Sequence, residues 1–153
     1  MNKQPDYFAE LYVAGKLADA GWNVYFPHRD QGFDFIISKP GPGGVVIRPV
    51  QVKGKFPTNT KKNKPVYGFV GRLSQAHPAM ILAIPYFKLT GSELAPVCIA
   101  YMPYRCIKEN KRGVRCVPAM FKNSTPVPRR EFKKFFDDEG INFVESKEWE
   151  ISS

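Results

Sequence analysis

The sequence predicts an α/β fold, a mixed central sheet flanked by helices. Three observations carry this. Apolar residues recur at helical spacing over Asp6–Ala20, in DYFAELYVAGKLADA. Two continuous apolar runs of strand length, Ala79–Pro85 and Pro96–Met102, read as strands buried on both faces. Two β-rich runs, Phe33–Ser38 and Val45–Lys53, flank a Gly- and Pro-dense turn at Lys39–Gly44 and read as a hairpin. At 153 residues the chain is one domain, 1–153, long enough to bury a core. With 43% apolar and 14% aromatic residues, the composition argues for a folded chain over a disordered one. No apolar run reaches membrane-spanning length and MNKQPDYFAE lacks a signal-peptide core, so a soluble cytoplasmic protein is expected, with no membrane partner.

Taken in order, Asp6 suits the N-cap of the first helix and Gly21 the left-handed position just past its end. Phe8, Leu11, Tyr12 and Val13 give it a broad apolar side that Leu17 and Ala18 continue. Glu10 lies one turn before Ala14 and, by itself, reads as a solvated charge at the helix shoulder. Trp22–Phe26 is a short strand ended by Pro27. His28 to Gly32 is a polar connection in which His28 reads as an ordinary loop histidine, with a base or a phosphate contact as the alternatives. Asp30 there is a turn residue and a rival to Asp34. After the hairpin, Gly54–Pro65 is a basic loop, and Tyr67, Phe69 and Val70 suggest another strand. Thr90–Glu93 turns between the two buried strands. Pro103–Arg115 mixes a short helical segment with turns, and Val117–Phe121 is a short strand. Thr125–Pro128 reads as a Pro-rich connection into a final helix, RREFKKFFDDEG, ended by Gly140. Its basic start and acidic finish oppose the helix dipole, so docking must hold it. The tail from Ile141 suggests an edge strand or an oligomer contact.

Function concentrates on the hairpin. With its turn centred between Pro42 and Gly43, Asp34 faces Gln51, and alternation puts Lys53 on the face of Gln51. A carboxylate, an amide and an amine then converge, while Phe33, Phe35, Ile37, Val46, Val50 and Val52 turn to the core. Pro49 lacks a donor for the ladder and suggests a bulge or an edge that would break this register.

The charge is segregated. No acidic residue occurs between Asp34 and Glu93, whereas Lys39, Arg48, Lys53, Lys55, Lys61, Lys62, Lys64, Arg72 and Lys88 fall there. The other 14 bases match the 14 acids, so the net charge of +9 belongs to that segment. This pattern fits a polyanionic partner, most simply nucleic acid, or else a solvated basic face. Cys98, Cys106 and Cys116 are odd in number and lack CxxC spacing, and only His28 and His77 accompany them. Reduced thiols are expected, and no zinc site.

The order of a helix with Glu10, a strand, a strand with Asp34, a turn and a strand with Gln51-Val52-Lys53 resembles the PD-(D/E)xK nuclease superfamily. It looks closest to the small Holliday-junction-resolvase-like and intron-encoded homing endonucleases. The likeness runs from YFAELYVAGKLADAGWNV through GFDFII to VQVKGK, roughly the first third of the chain. It implies a restriction-endonuclease-like core and a Mg²⁺-dependent DNA endonuclease, with Mn²⁺ a possible substitute. By the resemblance, Asp34 and the residue at position 51 ligate the metal. The Val52 carbonyl adds a third oxygen, and Glu10 reaches the metal directly or through water. Lys53 contacts the attacking water or the scissile phosphate. A hard cation held by oxygens activates water and stabilises charge on phosphoryl oxygens, which is what phosphodiester hydrolysis needs.

Two departures stand out. Phe33 replaces the proline before Asp34, and Gln51 replaces the expected Asp or Glu. A glutamine carbonyl still ligates Mg²⁺ but brings no charge, which favours one strongly held metal over two. Lys55, Lys61, Lys62, Lys64 and Arg72 are expected to hold the DNA backbone. Cutting both strands, or a junction, predicts a homodimer or homotetramer. The rival readings are a catalytically silent nucleic-acid-binding module on the same fold and a basic binding domain of other ancestry.

Overall fold

The computed structural model describes residues 6–29, 32–57, 77–107, 109–110, 113–114 and 116–146. Lys61, Lys62, Lys64, Arg72, Asp30 and the strand expected around Tyr67–Val70 lie outside them. Helix α1 (Asp6–Asp19) precedes β1 (Asn23–Tyr25), β2 (Phe35–Gly41), β3 (Gly44–Val52), β4 (Ile81–Thr90) and β5 (Glu93–Pro103). These five strands form one mixed sheet in chain order, antiparallel except for the parallel pair β3–β4. The fold is therefore α/β around a mixed five-stranded sheet. A 3-10 turn (Tyr104–Cys106) leads to the short pair β6 (Glu109–Asn110) and β7 (Gly113–Val114). The hairpin β8 (Ala119–Lys122) and β9 (Thr125–Pro128), a 3-10 helix (Arg130–Phe135) and α2 (Asp137–Glu145) follow.

Strand alternation divides the core in two. Val50, Val52, Ile81, Ala83 and Ile99 face α1, meeting Ala9, Val13 and Leu17. Ile141 and Val144 of α2 join the same cluster. Leu82, Ile84, Tyr86, Cys98, Ala100 and Met102 face the other way, under Ala119, Phe121, Phe135 and Phe136. That second layer covers β4 and β5. The same face of β1–β3 is open, with Tyr25 57%, Val45 62% and Ile47 56% exposed.

Pro49 does not break the hairpin. The pairs run unbroken from Phe35↔Val50 through Ile36↔Pro49 to Gly41↔Gly44, the register of a turn centred between Pro42 and Gly43. Lys53 N donates to Ala83 O at 2.9 Å, so by alternation the nitrogens of 49, 51 and 53 point toward β4. Pairing with β4 begins only at Val50↔Ile81, so Pro49 forfeits no ladder bond.

The C-terminal third departs from expectation in four places. Thr125–Pro128 is a strand, with Pro126 opposite Phe121 and Pro128 opposite Ala119 in a two-stranded hairpin that tolerates proline at its edge. The single final helix is two. A 3-10 helix carries the basic residues, the chain extends at Phe136, and α2 starts with Asp137, Asp138 and Glu139. The acidic residues thus sit at a helix N-terminus, where the dipole favours them. Gly140 does not end this helix but lies inside it. A Cβ there would stand 2.1 Å from Phe135 O, so only glycine lets α2 close over the preceding turn. The residues from Ile141 to Glu145 are helical and no edge strand.

The crossing at Phe136 also covers the outer edge of the sheet. Phe136 bridges Ala100 of β5, and Ile99 N donates to the Asp137 carboxylate at 2.9 Å. Asp137 holds φ at 53°, a left-handed conformation that this bond offsets. Arg48, counted above among the basic surface, is buried instead. Its Nε donates to Val144 O at 3.1 Å and its Nη2 to Ser146 O at 3.4 Å, tying β3 to the C-terminus of α2. Burial pushes its guanidinium down to about 10. Two of the cysteines, Cys98 and Cys116, are buried thiols and Cys106 is exposed; none forms a disulfide. Among the described residues, no helix is long and apolar enough to cross a membrane.

Candidate functional site

The C-terminal end of β3 gathers the sequence-predicted residues. β2 pairing stops at Phe35↔Val50, and Asp34 leaves the register by one step, its N donating to Val50 O at 2.9 Å. Its carboxylate then takes the place of the missing strand. Oδ2 accepts the Val52 N–H at 2.6 Å, one residue beyond the Gln51 that the hairpin register sets opposite it. A strand residue points its N–H and C=O the same way, so the Val52 carbonyl also opens toward Asp34. Sequence reasoning missed this hydrogen bond because it is made by a side chain at the point where a strand ends.

Gln51 and Lys53 flank that contact. Alternation turns both from the Val50–Val52 core face to the face of Leu82 and Ile84. Gln51 is half-buried, and its Oε1 is fully buried with no hydrogen-bond partner among the described residues. A buried acceptor left unpaired costs about 1–3 kcal/mol unless something else supplies the missing positive charge. Lys55 continues the strand beyond a short break. Its N donates to Pro85 O at 2.9 Å and it bridges Tyr86, on the side of Lys53. Burial first, then repulsion from Lys53, push the Lys55 ammonium below the usual lysine range, against the opposite pull of the Cys116 thiol. The Lys53 and Lys55 ammonium groups are therefore near enough to repel each other.

Glu10 approaches the same end of β3 from the α1 side. Its neighbour Ala9 packs at Gly54, where an added Cβ would meet the Ala9 Cβ at 3.1 Å. Glu10 is half-buried, in line with Val13, Ala14 and Leu17 on the packed face. It is thus on the helix face turned to the sheet, but across the strand from the Gln51 and Lys53 side chains. Phe33, expected in the core, is only half-buried and lines a surface cavity with Pro27, His28, Arg29 and Ile36.

Among the described residues, no three His, Cys, Asp or Glu side chains form a group able to hold a metal ion. The oxygens at the β3 end are of another kind: one carboxylate, one amide carbonyl and one backbone carbonyl. Hard neutral and anionic oxygens of this kind are the type that cations such as Mg²⁺ take as ligands. Comparison with protein-family models, curated proteins and solved structures returns no match for this chain.

Proposed function

We propose that the protein is a metal-dependent DNA endonuclease of the PD-(D/E)xK type, with its centre at the end of β3. The observation that carries this reading is the Asp34 carboxylate bonded to Val52 N–H, flanked by Gln51 and Lys53. Asp34, Gln51 Oε1 and the Val52 carbonyl would hold one Mg²⁺, with Glu10 adding charge from α1. The cation would lower the cost of ionising water and of charge on the phosphoryl oxygens. Lys53 places an ammonium where negative charge grows on the phosphate and on the incoming water oxygen. Lys55 and the excess of basic residues between Asp34 and Glu93 support binding of the phosphate backbone.

One specific observation favours a second reading. Position 51 brings no charge, so the site has a single carboxylate on the Asp34 side and two ammonium groups. A DNA-binding module that does not cut is the reading that follows from this balance. Purified protein incubated with supercoiled plasmid, four-way junction and linear duplex in Mg²⁺ or Mn²⁺ separates the two. The endonuclease reading expects cleavage that Lys53→Ala reduces by about 10²–10³-fold while DNA affinity changes little. Absence of cleavage on every substrate, with DNA still bound, leaves the silent module.

A further inference from the structure

The face of the sheet that carries Gln51 and Lys53 continues past Asp34 into the cavity formed by Pro27, His28, Arg29, Phe33 and Ile36. Its volume is about 420 Å³, within the range of small-ligand sites. Its apolar lining comes from Pro27, Phe33 and Ile36, the last of which pairs with Tyr25 of β1. The rim is basic or titratable, with Arg29 and His28 both exposed. Among the described residues, no carboxylate lines it. Ile36 is two residues along β2 from Asp34, about 7 Å at strand spacing. An aromatic side chain, an exposed arginine and histidine, and a place one short step from the proposed phosphate-handling residues together define a ligand. It is flat and apolar in its body and anionic at its edge.

We propose that this cavity binds one unpaired nucleobase of the DNA strand, with Arg29 and His28 on the adjoining phosphate. The assignment rests on the DNA reading above and deepens it. The substrate class becomes DNA with an unpaired nucleotide beside the scissile phosphate, as at an overhang, a flap or a branch point, in preference to continuous duplex. A base held inside a duplex cannot enter a concave site without being unstacked, and that cost is least where the base is already unpaired. Stacking on Phe33 then discriminates by base exposure and not by sequence, because every base has a π-face.

Fluorescence anisotropy in EDTA tests this without any cleavage. The probes are a duplex with a single-stranded overhang and a blunt duplex with the same number of phosphates. A second overhang probe carries 2-aminopurine at its first unpaired position. The expected result is about tenfold tighter binding of the overhang probe, the scale of one aromatic–base stack, with quenching of the 2-aminopurine. Phe33→Ala and Arg29→Ala should each lose most of that preference, and Phe33→Ala should keep its affinity for blunt duplex. Arg29 is exposed, so its variant decides the matter should Phe33→Ala not fold. Equal affinity for the two probes, or a preference that survives in both variants, overturns the cavity assignment alone. Failure to bind any DNA overturns it together with the DNA reading. A cavity-dependent preference in a protein that never cleaves supports the cavity and removes only the nuclease reading.

Discussion

At the scale of single residues, the β3 end is a charge balance. Asp34 spends one oxygen on Val52 N–H, Gln51 contributes a neutral acceptor with no partner among the described residues, and Lys53 and Lys55 repel each other. Gln51→Glu adds the missing charge. It should tighten Mn²⁺ binding by about an order of magnitude by calorimetry, since affinity for hard cations follows the count of charged ligands. Unchanged Mn²⁺ affinity would mean that the position 51 side chain takes no part. The lysine pair has its own signature. Lys55 has a lowered pKa, so it loses its proton earlier than an ordinary lysine as pH rises. DNA affinity should accordingly fall over the alkaline range below the usual lysine pKa of about 10.4. Lys53→Met removes one cause of the shift and should move the fall to higher pH. Binding titrations giving superimposable pH profiles for the two proteins would rule this coupling out.

At the scale of elements, the break at Phe136 organises the C-terminal third. It reverses the charge order that opposed a single helix, caps the β5 edge through Asp137, and brings α2 onto the face shared with α1. Gly140 makes the break possible. Gly140→Ala should destabilise the fold by about 3 kcal/mol, because a methyl group forced into a packed backbone shifts its neighbours. An unchanged denaturant midpoint would show that α2 does not close over the 3-10 helix as described. Arg48 fastens the far end of the same helix, which is why a basic residue from the cationic segment sits 1% exposed in the core.

At the scale of the molecule, the sheet is covered unequally. Among the described residues, one face carries both α-helices along its length, whereas the other is covered over β4 and β5 and open over β1–β3. The candidate centre lies where these regions meet. The covered part of the second face buries Cys98 and Cys116, whose thiols burial pushes up to about 12. Both stay protonated at neutral pH, and Cys106 alone is exposed. One thiol per chain should react with a maleimide in the native protein and all three after unfolding, as counted by mass spectrometry. Two or three rapid modifications in the native state would contradict the packing over β4 and β5.

What the sequence determined by itself is local. Helix α1, the hairpin register centred on Pro42 and Gly43, and the turn at Gly91 and Ser92 were legible because periodicity and turn chemistry act within a few residues. The same locality put Asp34, Gln51 and Lys53 at one end of one hairpin. Tertiary structure decided everything that depends on what lies across space. Arg48 looks like surface charge until α2 offers it carbonyls, and Phe33 looks like core until the loop after β1 forms a cavity with it. RREFKKFFDDEG reads as one helix until the β5 edge claims Phe136 and Asp137. Asp34 shows the division most clearly. Its place in the chain was set by the hairpin, but its bond to Val52 exists only because β2 turns away one residue early and leaves a backbone donor to be satisfied.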